Sequence, residues 1–339
     1  MKKNLAIAVD LGASNLRTAI IDQTGKILRS ARSRTPNTKS GKLITETIIV
    51  LINHLLEDTD KKRIKGIGIG SIGPIDFKKG EIRNTPNLKA KKISLIKPLE
   101  KYFALPVKLY NDCTAAVWGE KHFGAGKKSK NLVYLTISSG IGAGVIVDNH
   151  LLIGHSRNAA EVGHFIIDTK YKMACGCKKG NGHWEAMCSG NNLPRFFKRW
   201  LNFCNKACNE DGPRCSYSQR LQRGLQRGPS SLQILKKQKI RTSADIFELA
   251  DKKNKNVLNF LKELGQLNGH GISNIIVAYN PEIITIGGAV FLNNQKHILP
   301  YLKKNVDKYL KLPKIMATPL KGDIVLLGAA ALLFFNSKN

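Results

Sequence analysis

The stretch Asn4–Leu28, NLAIAVDLGASNLRTAIIDQTGKIL, carries the reading on which the fold turns. Apolar residues run from Leu5 to Val9, break at Asp10–Asn15 and resume from Leu16, before a second turn signal at Gln23–Lys26. Two apolar runs of strand length, bounded by Gly, Asp, Asn and Ser, predict a pair of strands around a polar glycine turn. Downstream, Lys42–Leu56 carries helical periodicity, and Ile64–Ile72 (IKGIGIGSI) reads as a buried strand whose glycines admit something close. Val107–Tyr110 is a short strand ending on Asn111-Asp112, with a helix over Thr114–His122. Leu132–Ile137 is a strand entering Ser138-Ser139-Gly140-Ile141-Gly142-Ala143-Gly144, and Val145–Val147 returns. Helices are predicted at 191–203, Ser243–Lys252, Lys255–Val277, Gln295–Leu310 and Ile324–Phe335, with 205–231 irregular. Glu282–Ile286 is a strand stopping at Gly287-Gly288, and Lys314–Pro319 is the last. Strand, glycine turn and helix recur in both halves, which predicts an α/β protein of two domains meeting near Asn111–Gly124.

A chain of 339 residues, 42% hydrophobic, is long enough to bury the cores of two domains. Lys and Arg number 55 against 24 Asp and Glu, a net charge of +31. Such a charge is compatible with nucleic-acid binding, with a solvated surface, or with anionic substrates such as nucleotides. Basic residues occur along most of the chain, and no RRM, zinc-finger or basic-zipper pattern accompanies them, which speaks against specific nucleic-acid recognition. Seven cysteines is an odd number, and Asp10 and Gly12 cut short the leader-like start MKKNLAIAV. Ile324–Phe335 is too short to span a bilayer. The expectation is a reduced, cytoplasmic protein without a membrane partner.

Three strand ends carry glycine turns, at Asp10–Asn15, Ser138–Gly144 and Gly287–Ala289. Glycine lets backbone approach phosphate oxygens, and consecutive N–H groups form an anion-binding concavity. The first turn adds Asp10, suited to orient Mg²⁺ or its water, and the donors Ser14, Asn15 and Arg17. One such turn is ordinary; three in one chain point to phosphate handling. No GxxxxGK[ST] loop is present. At the end of its strand, Asp112 is either part of a helix cap or a general base for a hydroxyl attacking a phosphoryl group, and spacing does not choose. Glu161–Glu185, EVGHFIIDTKYKMACGCKKGNGHWE, packs His164, Cys175, Cys177 and His183 between two carboxylates. Two thiolates and two imidazoles can close a tetrahedral zinc site, leaving Glu161 and Glu185 for a polar ligand; the alternative is a reduced, metal-free loop. Cys204, Cys208 and Cys215 with Cys188 form either a second metal site of poor spacing or incidental thiols.

The segments DLGASNLR (Asp10–Arg17), GIGSIGPID (Gly68–Asp76), LYNDCTAAVWGE (Leu109–Glu120), SSGIGAGV (Ser138–Val145), EVGHF (Glu161–Phe165), CGC…HWE (Cys175–Glu185) and IGGAV (Ile286–Val290) resemble, in order, the ROK family of repressors, open reading frames and kinases, and its glucokinase branch above all. The resemblance covers nearly the whole chain. It implies two actin-like, hexokinase-type (ribonuclease H-like) α/β domains flanking a cleft, 1–112 with the returning 322–339, and 113–321 with a zinc loop at 164–183 and an insertion near 204–231. It implies an ATP-dependent kinase for the 6-hydroxyl of a hexose, glucose first, with fructose, mannose and the N-acetylhexosamines as alternatives. Asp112 is then the base; Asn87, Asn111, Glu161, His164 and Glu185 bind sugar; His164, Cys175, Cys177 and His183 hold structural zinc. Asp10, Gly12, Ser14, Asn15, Arg17, Ser138, Ser139, Gly140, Gly142, Gly287 and Gly288 surround ATP and Mg²⁺, and a homodimer is expected. The family's usual CxCGxxGCxE departs here: Lys178 replaces a glycine, His183 a cysteine, and one residue is added. Ala13 and Asn15 stand where many members have Gly and Lys. A sugar-responsive repressor is the competing class; such members carry a helix-turn-helix ahead of a loop that here begins at Asp10.

Overall fold

The computed structural model describes residues 3–57, 59–85, 88–210 and 240–335. One strand pattern is used twice. Its first use is built from β1 (Leu5–Leu11), β2 (Asn15–Asp22), β3 (Ile27–Arg34), α1 (Gly41–Leu56), β4 (Ile64–Ser71), the short strands β5 (Ile75–Asp76), β6 (Glu81–Arg83) and β7 (Lys92–Ser94), α2 (Ile96–Phe103) and β8 (Val107–Asn111). After α3 (Asp112–His122) come β9 (Leu132–Ile137), β10 (Ile141–Val147), β11 (His150–Leu151), α4 (Trp184–Cys188), α5 (Leu193–Glu210), α6 (Ser243–Asp251), α7 (Lys255–Tyr279), β12 (Ile283–Gly287), α8 (Ala289–Asn293), α9 (Gln295–Lys304), β13 (Lys314–Ala317) and α10 (Ile324–Phe334). The sheets run β3-β2-β1-β4-β8 and β11-β10-β9-β12-β13. In each, three antiparallel strands are followed by two parallel ones. The central strands are apolar on both faces, as parallel strands covered on both sides must be, and β12 is buried along its whole length. β3, at an edge, alternates half-buried and exposed residues.

Helix α10 explains how the halves meet. Its sequence IVLLGAAALLF is apolar all round because it is enclosed, with β1 and β4 on one side and α3 on the other. A Cβ on Gly328 would lie 1.8 Å from the Ala115 carbonyl oxygen, and one on Gly68 would lie 2.0 Å from that of Ala329. Thus the glycines of β4 admit a helix backbone. On its other flank α3 packs on β9 and β10, where a Cβ on Gly144 would lie 2.1 Å from the Cys113 carbonyl oxygen. Buried Ile324, Leu326 and Leu332 of α10 each contribute roughly 1.5–3 kcal/mol. The consequence is positional: α3 is wedged between two sheets, and its first residues are held rigidly at their junction. Among the described residues no helix is long and apolar enough to cross a membrane.

Several sequence expectations are corrected. The helix expected over Thr114–His122 starts at Asp112, because the Asn111 side chain caps it there. The helix expected to reach Leu310 stops at Lys304: Asn305 Nδ2 donates to the Tyr301 carbonyl, satisfying a terminal acceptor. The returning strand spans Ile141–Val147, not only Val145–Val147, so Gly142 and Gly144 lie in a strand instead of a loop. β3, α2 and the β5-β6-β7 sheet were not anticipated; the last is tied together at Glu81, which accepts from Ser94 Oγ at 2.8 Å and pairs with Arg83 and Lys92. Cys188 and Cys204 are buried in the second sheet's core. The side chains of Cys208 and Cys215, most of the 204–231 insertion, and the proposed sugar contact Asn87 lie outside the described residues.

Candidate active site

The first glycine turn closes the β1–β2 hairpin. Gly12 N donates to the Asn15 carbonyl at 3.0 Å, while Thr35 pins the turn from outside, Oγ1 donating to the Gly12 carbonyl at 2.7 Å and N to that of Ser14 at 3.1 Å. Ser14 and Asn15 are left exposed at the tip. Asp10 and Arg17 are register partners, so their side chains leave the same face. Arg17 Nε and Nη2 both donate to Asp10 Oδ2, at 3.0 and 2.6 Å, and Nη1 donates to Asp323 Oδ1 at 3.1 Å. Among the described residues Asp10 Oδ1 accepts no hydrogen bond, which fits a carboxylate that holds Mg²⁺ or its water through the remaining oxygen. Burial raises the Asp10 pKa above its ordinary value, and the Arg17 charge only partly offsets it.

Asn111 and Asp112 divide the two roles that spacing left open. Asn111 is the N-cap of α3, its Oδ1 accepting from Cys113 N at 2.9 Å. Asp112 Oδ1 accepts from the same N–H at 2.8 Å, but the cap does not depend on it. Burial, followed by the nearby charge of Asp10 and a smaller push from Glu161, brings the Asp112 carboxyl up to about 6 against the opposing Cys113 hydrogen bonds. A carboxylate titrating there is basic enough to take a hydroxyl proton yet ionised at neutral pH. Glu161 is accessible from solvent but set against protein; burial is the main cause raising its pKa, Glu185 adds to it and His164 opposes it.

Glu185, in the first turn of α4, joins the metal-competent block to the second glycine turn. Its Oε2 accepts from Ile141 N at 2.9 Å, and a Cβ on Gly140 would lie 2.6 Å from that oxygen. The carbonyls of Ser138 and Ser139 accept from Gly190 N at 2.7 Å and Asn191 N at 3.2 Å. Gly142 lies in β10 against Cys113, whose sulfur would be 2.9 Å from a Cβ. The third turn abuts the second: Gly288 has φ +88°, and its Cβ would lie 2.5 Å from the Ile137 carbonyl oxygen. A Cβ on Gly287 would sit 2.5 Å from Tyr134 Oη. Glycine is therefore demanded at both positions by packing on β9.

His164, Cys175, Cys177 and His183 converge, their donor atoms all within 4.8 Å of one another. The two Nδ1 atoms are 3.3 Å apart, Cys175 Sγ is 3.8 Å from His164 Nδ1, and Cys177 Sγ is 3.6 Å from His183 Nδ1. A tetrahedral zinc ion with ordinary bond lengths sets N···N near 3.3–3.4 Å and N···S near ~3.5 Å. These three separations are close to those of ligands around one ion. Burial, then the facing His164, lowers the His183 pKa, keeping the neutral imidazole that a metal requires. Burial raises that of Cys175, a preference for the thiol that a bound cation would invert. The loop is held by Cys175 N donating to the Gly180 carbonyl at 3.0 Å, and by buried Trp184, whose Nε1 donates to Asn268 Oδ1 at 2.9 Å. Asp323 and Thr35 escaped sequence reading; Asp323 meets Arg17 across 306 positions, and no local pattern marks either.

A model of the ROK family matches residues 6–334. The chain belongs to the ROK family. It is 32% identical over 330 residues to a glucokinase of Pyrobaculum calidifontis, covering 97% of this chain and 94% of that one. A glucokinase of Aeropyrum pernix is 32% identical over 307 residues, covering 89% and 87%. A ROK family glucokinase from Streptomyces griseus, solved in complex with glucose and AMPPNP, superposes with a TM-score of 0.73 at 26% identity, covering 97% of this chain and 99% of that one. The fold is therefore the two-sheet architecture of the ROK sugar kinases. Against the ROK pattern, Lys178 occupies a left-handed position, φ +60°, where the family's glycine carries no steric penalty. His183 replaces a cysteine in a loop one residue longer, and its imidazole joins the cluster.

Proposed function

We propose that the chain is an ATP-dependent hexose kinase that phosphorylates glucose at the 6-hydroxyl. The observation that carries this reading is Asp112, anchored at the head of α3 with its pKa raised to about 6 by burial and by the nearby charges of Asp10 and Glu161. The curated glucokinases that share about a third of its residues over nearly the full length support the same chemistry. The lobes are residues 1–112 with 322–339, and 113–321. They close on substrate and exclude water, the competing acceptor. Asn111, Glu161, His164 and Glu185 hold sugar hydroxyls, and Asn87 is assigned to the same task. Asp112 accepts the 6-hydroxyl proton as that oxygen attacks the γ-phosphorus; the bond to the β,γ-bridging oxygen breaks and ADP leaves. Gly12, Ser14, Asn15 and Arg17 face the transferred phosphate, with Ser138, Ser139, Gly140 and Gly142 opposite and Gly287-Gly288 toward the adenosine.

Asp10 would hold Mg²⁺, which neutralises charge developing on the phosphate oxygens. His164, Cys175, Cys177 and His183 would hold structural zinc. Ligation through Nδ1 leaves His164 Nε2–H to donate to the sugar, so one ring serves both tasks. We assign the protein to the cytoplasm and to a homodimer, without a nucleic-acid partner. An ATP-coupled panel of hexoses and N-acetylhexosamines tests the reading. Glucose should give the highest kcat/KM; a different preferred sugar would correct the substrate, and a uniformly blank panel would overturn the enzyme reading in favour of a sugar-binding role.

A further inference from the structure

Arg157 lies between β11 and Glu161, and the chemistry above makes no use of it. Its guanidinium carbon stands 4.8 Å from the centre of the Phe77 ring and 5.4 Å from that of Tyr110. Phe77 follows β5 and Tyr110 belongs to β8, so both rings come from the first half of the fold, while Arg157 comes from the second. The Arg157 backbone is left-handed, φ +61°, a conformation that a residue with a Cβ holds only when its surroundings impose it. Its Nε is buried and has no hydrogen-bond partner among the described residues. Leaving a buried donor unmade is costly, and such groups call for an explanation.

A cation over two rings would be a sufficient tie between the halves if its donors were all satisfied. The orphaned Nε–H means that one acceptor is missing. Position along the chain identifies its class. Tyr110 immediately precedes Asn111-Asp112, and Arg157 stands four residues before Glu161. The stack therefore joins the two segments that carry the sugar-side groups, whereas the phosphate-side groups sit on the glycine turns. We propose that Arg157 is a positioning and specificity residue for the sugar: its guanidinium ties the Glu161 segment to Phe77 and Tyr110, and its Nε–H donates to an oxygen of the bound sugar. This inference rests on the sugar-kinase reading.

The test compares wild type with Arg157→Ala and Arg157→Lys in glucose KM, ATP KM and the ratio of sugar-free ATP hydrolysis to glucose phosphorylation. Lysine keeps a charge over the rings but cannot place the Nε–H. Arg157→Ala should raise the glucose KM about tenfold, leave the ATP KM within about twofold, and raise the hydrolysis ratio. Arg157→Lys should restore the ratio but not the glucose KM, and it carries the test should the alanine variant fail to fold. Combining Phe77→Leu with Arg157→Ala should raise the glucose KM by less than the product of the single effects, because both remove one contact. A wild-type glucose KM and hydrolysis ratio in both Arg157 variants would overturn the proposal while leaving the kinase reading intact. So would a loss of melting temperature and kcat with glucose KM unchanged, which marks a merely structural side chain. A wild-type protein that phosphorylates no sugar sinks the kinase reading first, and this assignment with it.

Discussion

At Asp112, burial and neighbouring charge act on one proton, and both act upward. The raised carboxyl has consequences for activity and for stability. The base must be ionised to accept the hydroxyl proton, so kcat should fall as pH drops through about 6 and level off above it. Stability moves in the opposite sense. The folded protein holds this proton more tightly than the unfolded chain, whose carboxyl titrates at the ordinary 3.8, so ionisation costs stability as pH rises from 3.8 to about 6. Asp112→Asn should therefore abolish phosphorylation, leave sugar binding largely intact, and stabilise the apo protein by on the order of 2 kcal/mol at pH 8. That gain should vanish near pH 4, measured by denaturant midpoints at both values. Near-normal turnover in the variant would end the base assignment, and equal stability at both pH values would mean that the carboxyl is not held out of water. The strand-end position of Asp112 was legible in the sequence. Its division of labour with Asn111 was not, because both residue types cap helices and only geometry shows which one does.

At the scale of elements, the segment from Glu161 to Glu185 is irregular chain joined by isolated bridges, Ile166 with His183 and Ala174 with Asn181. Its backbone bonds are those of turns and bridges, such as Ile167 N to the Gly182 carbonyl and Gly182 N to the Met173 carbonyl, and a metal held by the four converging side chains would add a further restraint. Because Glu185 is bonded to Ile141 and Glu161 lies three residues before His164, disorder in the loop would reach the proposed sugar contacts and the second glycine turn together. Stripping the purified protein with a strong chelator should lower its melting temperature by several degrees and raise the sugar Kd about tenfold or more, with zinc restoring both. Elemental analysis finding no metal in the folded, active protein would remove the zinc assignment. The Cys/His composition announced this cluster because its ligands lie within twenty residues. The contact of Glu185 with Gly140, like that of Arg17 with Asp323, joins distant segments and leaves no local periodicity to read. β3 was missed for a related reason: after Ile27 and Leu28 this edge strand is Arg and Ser apart from Ala31, with no apolar alternation to read, and its partner β2 supplies the order that its own sequence lacks.

Over the whole molecule, the +31 charge meets a fold whose reaction begins with a polyanion. Arg32 and Arg34 of β3, both exposed, are register partners of Arg17 and Asn15, so positive charge lies beside the first glycine turn as well as over the general surface. A field of this sign raises the local concentration of anionic nucleotide and does nothing for a neutral sugar. Raising KCl from about 0.02 to about 0.5 M shortens the Debye length several-fold and should lower kcat/KM for MgATP several-fold, with kcat and the glucose KM changing by less than about twofold. A sugar KM that shifts as much as the ATP KM would show that salt acts on the fold instead of on encounter. An ATP response that is flat would mean that the charge serves solubility alone. Nucleic-acid binding makes a different demand: log affinity for duplex would fall linearly with log salt, and duplex would compete with ATP at low salt. Measuring ATP kinetics with and without duplex at both salt concentrations separates donor steering from that competitor on the same preparation.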